Sequence, residues 1–127
     1  MTSQPSLPHP RVLALLGDAV YELWLREQAV ERFPQASARS VHHWLIQHAC
    51  GAFQAKLLVH LTPTLSEYEL DWVRRGRNLP MTSARRNTRL TTQQSTGFEA
   101  LLGVLHMQNP HRLAEIFGQI HAFLAPQ

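Results

Sequence analysis

Two apolar helical stretches, 81 positions apart in a chain of 127 residues, each carry one carboxylate among small residues. The first reads Leu15-Leu16-Gly17-Asp18-Ala19-Val20-Tyr21-Glu22. The second reads Ser95-Thr96-Gly97-Phe98-Glu99-Ala100-Leu101-Leu102-Gly103. Gly and Ala at these positions let two helices approach closely. A carboxylate carried into such a contact is costly unless it is paired, hydrogen-bonded or bound to a metal. A fold that packs the two helices together, with Asp18 and Glu99 sharing one acidic metal site, answers both requirements.

The rest of the chain is patterned for helices. Val12, Leu15, Leu16, Ala19, Leu23 and Val30 recur at three-and-four spacing, which predicts a helix over about 11–33 with this stripe inward and a Glu22–Arg26 pair outside. Ser37 or Ser40 caps a second helix running through Trp44, Ala49 and Phe53 to about Leu61. Thr62-Pro63-Thr64 breaks the chain, and Ser66 with Glu69 has the spacing of a capping box opening a helix over about 68–75. Residues 76–94 lack periodicity and read as a long basic loop. Ser95 or Thr96 then caps a hydrophobic helix to about Met107, and a last helix covers about 111–123. No strand and no repeat is evident. These features predict an all-α single domain over 11–125, preceded by a Pro- and Ser-rich flexible arm over 1–10.

Charge is unevenly placed. Eleven of the twelve basic residues are Arg, and Trp72 to Phe98 holds six of them (Arg74, Arg75, Arg77, Arg85, Arg86 and Arg89) with no acid. Solvated faces interleave both signs, so this segment calls for a polyanion. It lacks the apolar stripe of a membrane-surface helix, which favours nucleic acid. No stretch has transmembrane length or the pattern of a signal segment, and one cysteine permits no internal disulfide, so a cytoplasmic protein is expected.

Other candidates weaken on inspection. His43 and His48 fall on different sides of a helix, His43 and Cys50 are two turns apart, and no zinc spacing occurs among the eight His. Cys50 reads as a small core residue, and Trp44, Trp72, Phe53 and Phe117 as core or interface. Glu22 has a structural duty beside Arg26. Taken singly, Asp18 and Glu99 would each be ordinary helix acids; together they can supply oxygen ligands to Mg²⁺ or Mn²⁺.

The segments Leu13-Ala14-Leu15-Leu16-Gly17-Asp18-Ala19-Val20-Tyr21-Glu22, Arg74-Arg75-Gly76-Arg77-Asn78 and 95–103, in this order and spacing, resemble the Mini-ribonuclease III family. These are ribonuclease III-like nucleases without a double-stranded-RNA-binding domain. The resemblance implies the helical ribonuclease III endonuclease fold, a homodimer and Mg²⁺-dependent cleavage of double-stranded RNA (Mn²⁺ can substitute). It also implies maturation of precursor 23S ribosomal RNA ends. Asp18 matches the catalytic Asp of the family and Glu99 its metal-binding Glu. Longer relatives carry further acids where this chain has Arg11, Ala14 and Thr96, and family members often carry an acid near Arg89.

The expected activity is endonucleolytic hydrolysis leaving a 5′-phosphate and a 3′-hydroxyl. Arg74, Arg75, Arg77, Asn78, Arg85, Arg86 and Arg89 are the expected RNA contacts, reading A-form shape, with a ribosomal protein as a further partner. The rival reading is a non-catalytic RNA-binding ribosome assembly factor, which would have no need of both carboxylates. A helical DNA-binding protein ranks last, for want of a helix-turn-helix pattern.

Overall fold

The computed structural model describes residues 6–81 and 86–124, and at 86 and 87 the backbone alone. Six helices follow one another: α1 (Pro10–Arg32), α2 (Ala38–Ala49), α3 (Gly51–Leu61), α4 (Glu67–Arg77), α5 (Arg86–Gln108) and α6 (Pro110–Leu124). A 3-10 turn at Thr62–Thr64 joins α3 to α4, and no strand occurs among the described residues. Local chemistry sets several ends. The Ser37 hydroxyl accepts from the Ser40 N–H, Ser66 and Glu69 close a reciprocal capping box, and Asn109 Oδ1 accepts from the Arg112 N–H.

Helix α5 is the axle, packed against α1, α3, α4 and α6. Around it Leu13, Tyr21, Leu25, Leu57, Leu61, Phe98, Leu101, Leu102, Ile116 and Ile120 are fully buried. The Phe98 ring meets Tyr21 edge-on at 5.2 Å, and Trp24 of α1 stacks on Phe117 of α6 at 4.8 Å. Trp44 and Trp72 are buried, while Phe53 and Phe117 pack partly exposed against the core. No helix among the described residues is long and apolar enough to cross a membrane.

The structure corrects the sequence reading in four places. The inward face of α1 is Leu13, Ala14, Gly17, Tyr21, Leu25, Gln28 and Ala29; Val12, Leu15, Leu23 and Val30 point to solvent on the opposite side. The helix is apolar on both faces, so periodicity alone chose the wrong one. The single helix expected up to Leu61 is two, because Cys50 is extended (φ −69°, ψ 159°). The carbonyls freed at the break are taken up by Tyr21 Oη, donating to His48 O at 2.7 Å, and Gln54 Nε2, donating to Ala49 O at 3.0 Å. Cys50 itself is exposed and not a core residue.

The fourth correction concerns the long basic loop over 76–94. Helix α4 runs on to Arg77, and α5 begins at Arg86. The polar stretch before Gly97 is helical where it packs on Gly51 of α3 and Gly76 of α4, and its hydroxyls bond back into the helix, Ser95 Oγ and Thr96 Oγ1 both donating to Thr92 O. Ser95 and Thr96 are therefore interior residues and cap nothing. Of the expected arm, residues 1–5 lie outside the described residues, while Leu7 packs on the core and His9 caps α1.

Candidate functional site

Glycines decide how close the helices come. A Cβ on Gly17 would overlap the carbonyl oxygen of Glu99, and one on Gly103 would overlap that of Leu13. Helices α1 and α5 thus cross with backbone against backbone. The contact places Asp18, next to Gly17, beside Glu99. A second crossing of the same kind joins α4 to α5, where a Cβ on Gly76 would lie 2.8 Å from Gly97 Cα.

The two predicted acids meet. Asp18 and Glu99 are each half-buried, and the Asp18 side chain lies within hydrogen-bonding reach of Glu99. Burial, then the Asp18 charge and its hydrogen bond, push the Glu99 carboxyl up to about 8, so the pair resists carrying two negative charges at once. Two carboxylates in this state form a prepared place for a cation, which can replace a shared proton. Among the described residues no cluster of three or more His, Cys, Asp or Glu is assembled. Mg²⁺ fits such a lean set, since it is held through one or two carboxylates and keeps water or phosphate on its other positions.

Two further residues belong to this site. Gln54 of α3 is 2 % exposed and lies near Glu99, where its amide favours the ionised carboxylate. A lone buried Gln in an apolar helix is the only mark it leaves in the sequence. Glu22 makes no ion pair with Arg26, contrary to expectation; its charge instead adds to the negative potential on Glu99.

The predicted RNA contacts divide by environment. Arg74 and Arg75 both pair with Asp71, at 3.1 and 3.0 Å, and Arg75 also lies over the Trp72 ring at 4.6 Å. Asp71 stands one position before the acid-free run, so the run is partly neutralised at its start. Arg77 is exposed, with its Cγ 2.8 Å from where a Gly97 Cβ would be, and Asn78 is exposed at the C-terminal end of α4. Arg89 is exposed on the first turns of α5. Arg85 and the side chain of Arg86 lie outside the described residues.

Comparison with known proteins fits this geometry. Residues 11–110 match the model of the Ribonuclease III domain. A Mini-ribonuclease 3 of Synechococcus sp. is 40% identical over 87% of this chain and 79% of its own length. That of Brevibacillus brevis is 35% identical over 98% of this chain and 93% of its own. A crystal structure of a Fusobacterium nucleatum protein superposes with a TM-score of 0.78 at 19% identity, covering 89% of this chain and 91% of the other, a likeness of fold.

Proposed function

The chain belongs to the Mini-ribonuclease 3 family of ribonuclease III-domain endoribonucleases, and on that premise we propose that Asp18 and Glu99 hold the divalent cation with which it cuts double-stranded RNA. The observation that carries this reading is the glycine-locked crossing of α1 and α5, which sets the two carboxylates side by side. When bound, Mg²⁺ (or Mn²⁺) supplies activation of water and charge stabilisation at phosphorus. The protein's own part is to fix the two acids. Gln54 steers Glu99 toward its ionised form, Glu22 deepens the negative potential, and Gly17 leaves room for the helices to close. Arg77 and Asn78 at the end of α4, Arg86 and Arg89 at the start of α5, and Arg85 just before it grip phosphates; Arg74 and Arg75 contribute less, being paired with Asp71.

Cutting both strands of a duplex needs two sites. Val12, Leu15, Leu23 and Val30 stand 53, 69, 61 and 69% exposed along one side of α1, whose other side is buried in the core. A helix apolar on both faces is built to be covered on both. A second copy related by a two-fold axis supplies the cover and the second site. The substrate we assign is the duplex formed by the ends of precursor 23S ribosomal RNA, processed in the cytoplasm, with a ribosomal protein shaping the RNA.

The test uses a long RNA duplex in Mg²⁺. Wild type cleaves it, while Asp18→Asn and Glu99→Gln bind it and lose cleavage by more than about a hundredfold. A wild type that binds the duplex and leaves it intact in both Mg²⁺ and Mn²⁺ would overturn the metal site. Cleavage by the Asp18→Asn variant at the wild-type rate would overturn the residue assignment. Precursor 23S ends that mature normally without the protein would overturn the substrate.

A further inference from the structure

One cavity lies apart from the carboxylates, between the start of α1, the end of α4 and the middle of α5. It measures about 290 Å³, and Arg11, Arg77, Gly76, Thr92, Gln93 and Thr96 contribute to its walls. No Asp or Glu lines it among the described residues. Arg11 is fixed at the rim, its Nη2 donating to Pro80 O at 2.6 Å. A guanidinium has five N–H donors, so this bond leaves others for a ligand. Arg77 is fixed by packing, its stem seated where Gly97 has no side chain.

Neither arginine has a carboxylate partner among the described residues, whereas Arg74, Arg75 and Arg112 all do. Two arginines contributing to the walls of one cavity favour an anion there. The position is also informative. Thr96 precedes Glu99 by one turn of α5, about 4.5 Å along the axis, and Arg11 precedes Asp18 by two turns of α1 on the same face, about 10 Å.

We propose that this cavity is a phosphate subsite, in which Arg11 and Arg77 clamp a backbone phosphate of the RNA next to the cleavage position. It rests on the functional reading above. The guanidinium forks suit the oxygens of a phosphodiester. Gln93 adds an amide donor to the wall. An anion held here sets the register of the strand against Asp18 and Glu99. Arg11 lies outside the arginine-rich run, so its part in binding comes from the fold.

The experiment measures duplex affinity against salt, with Asp18→Asn as the parent to block cleavage. Adding Arg11→Ala weakens binding roughly tenfold at moderate salt, as for loss of one charge-assisted contact. It also makes the slope of log affinity against log salt shallower by about 0.9. Arg11→Gln keeps a polar amide near the rim but has no charge. Its slope falls as for Ala; a slope restored to the parent's would leave Arg11 only a latch and overturn the proposal. Arg39→Ala, on the outer face of α2, keeps the parent slope. An unchanged slope in Arg11→Ala, with the parent binding duplex and wild type cutting it, overturns the subsite and leaves the nuclease standing. A parent that does not bind, with a wild type that does not cut, defeats the nuclease reading itself. If inorganic phosphate stabilises wild type but not Arg11→Ala while the RNA slopes match, the cavity takes free anions and the RNA assignment is overturned.

Discussion

Glu69 is the one buried charged residue among those described, and it shows how a single side chain ties elements together. Arg112 of α6 donates to both of its oxygens, at 2.8 and 3.0 Å, and to Thr64 O at 3.0 Å, pinning α6 to the start of α4. These hydrogen bonds from Arg112, helped by the Ser66 N–H, hold the Glu69 carboxyl below its usual value of 4.5. The folded state therefore binds this proton more weakly than the unfolded chain does. The stabilisation is complete above about 4.5 and is lost as pH falls through the folded value. Arg112→Met strands the carboxylate and costs about 3 kcal/mol at pH 7 by urea denaturation. The gap from wild type narrows in acid, and a pH-independent gap would contradict the linkage. At the cation site, Gln54→Leu keeps the volume but removes the amide beside Glu99, together with its bond to Ala49 O. Calorimetric titration with Mn²⁺ should show affinity lowered about tenfold, while the orphaned Ala49 carbonyl lowers stability by about 1–3 kcal/mol; unaltered affinity would remove Gln54 from the site.

Between elements, the crossing of α1 and α5 decides whether there is a site at all. Gly17→Ala drives a methyl into the Glu99 carbonyl, so the helices must separate. Overpacking of this kind costs about 1–3 kcal/mol, read by chemical denaturation. Here it also parts Asp18 from Glu99, so Mn²⁺ affinity falls further than in Gly118→Ala, where an added methyl meets nothing within 4 Å. Equal effects from the two substitutions would deny the crossing its role. The same helices show what sequence can and cannot display. The Ser66–Glu69 box and the Ser37 cap are written in neighbouring residues and were legible. The break at Cys50 was not, because the groups that accept it, Tyr21 and Gln54, come from a distant helix and from beyond the bend. Nor was the helical run from Arg86 to Thr96, whose polar residues show no periodicity and which packs on the distant Gly51 and Gly76.

For the molecule as a whole, the exposed stripe on α1 is the feature a lone subunit leaves without purpose. Leu15→Glu with Leu23→Glu places charges on it without touching the core. Sedimentation should then report a monomer, duplex cleavage should lose the paired cuts on opposite strands, and Asp18 and Glu99 stay in place. A double variant that remains a dimer would put the interface elsewhere. That stripe also marks the division between sequence and fold. The sequence by itself determined the helical class, the capped ends, the carboxylate pair and the concentration of arginine, because each depends on residue type and short spacing. It could not say which apolar face of α1 turns inward, that Asp71 quiets Arg74 and Arg75, or that Gln54 and Glu22 attend Glu99. It also gave no sign that Arg11 stands over one cavity with Arg77. Those relations join residues far apart in the chain, and they are fixed only where glycine pairs let the helices touch and the buried groups find their partners.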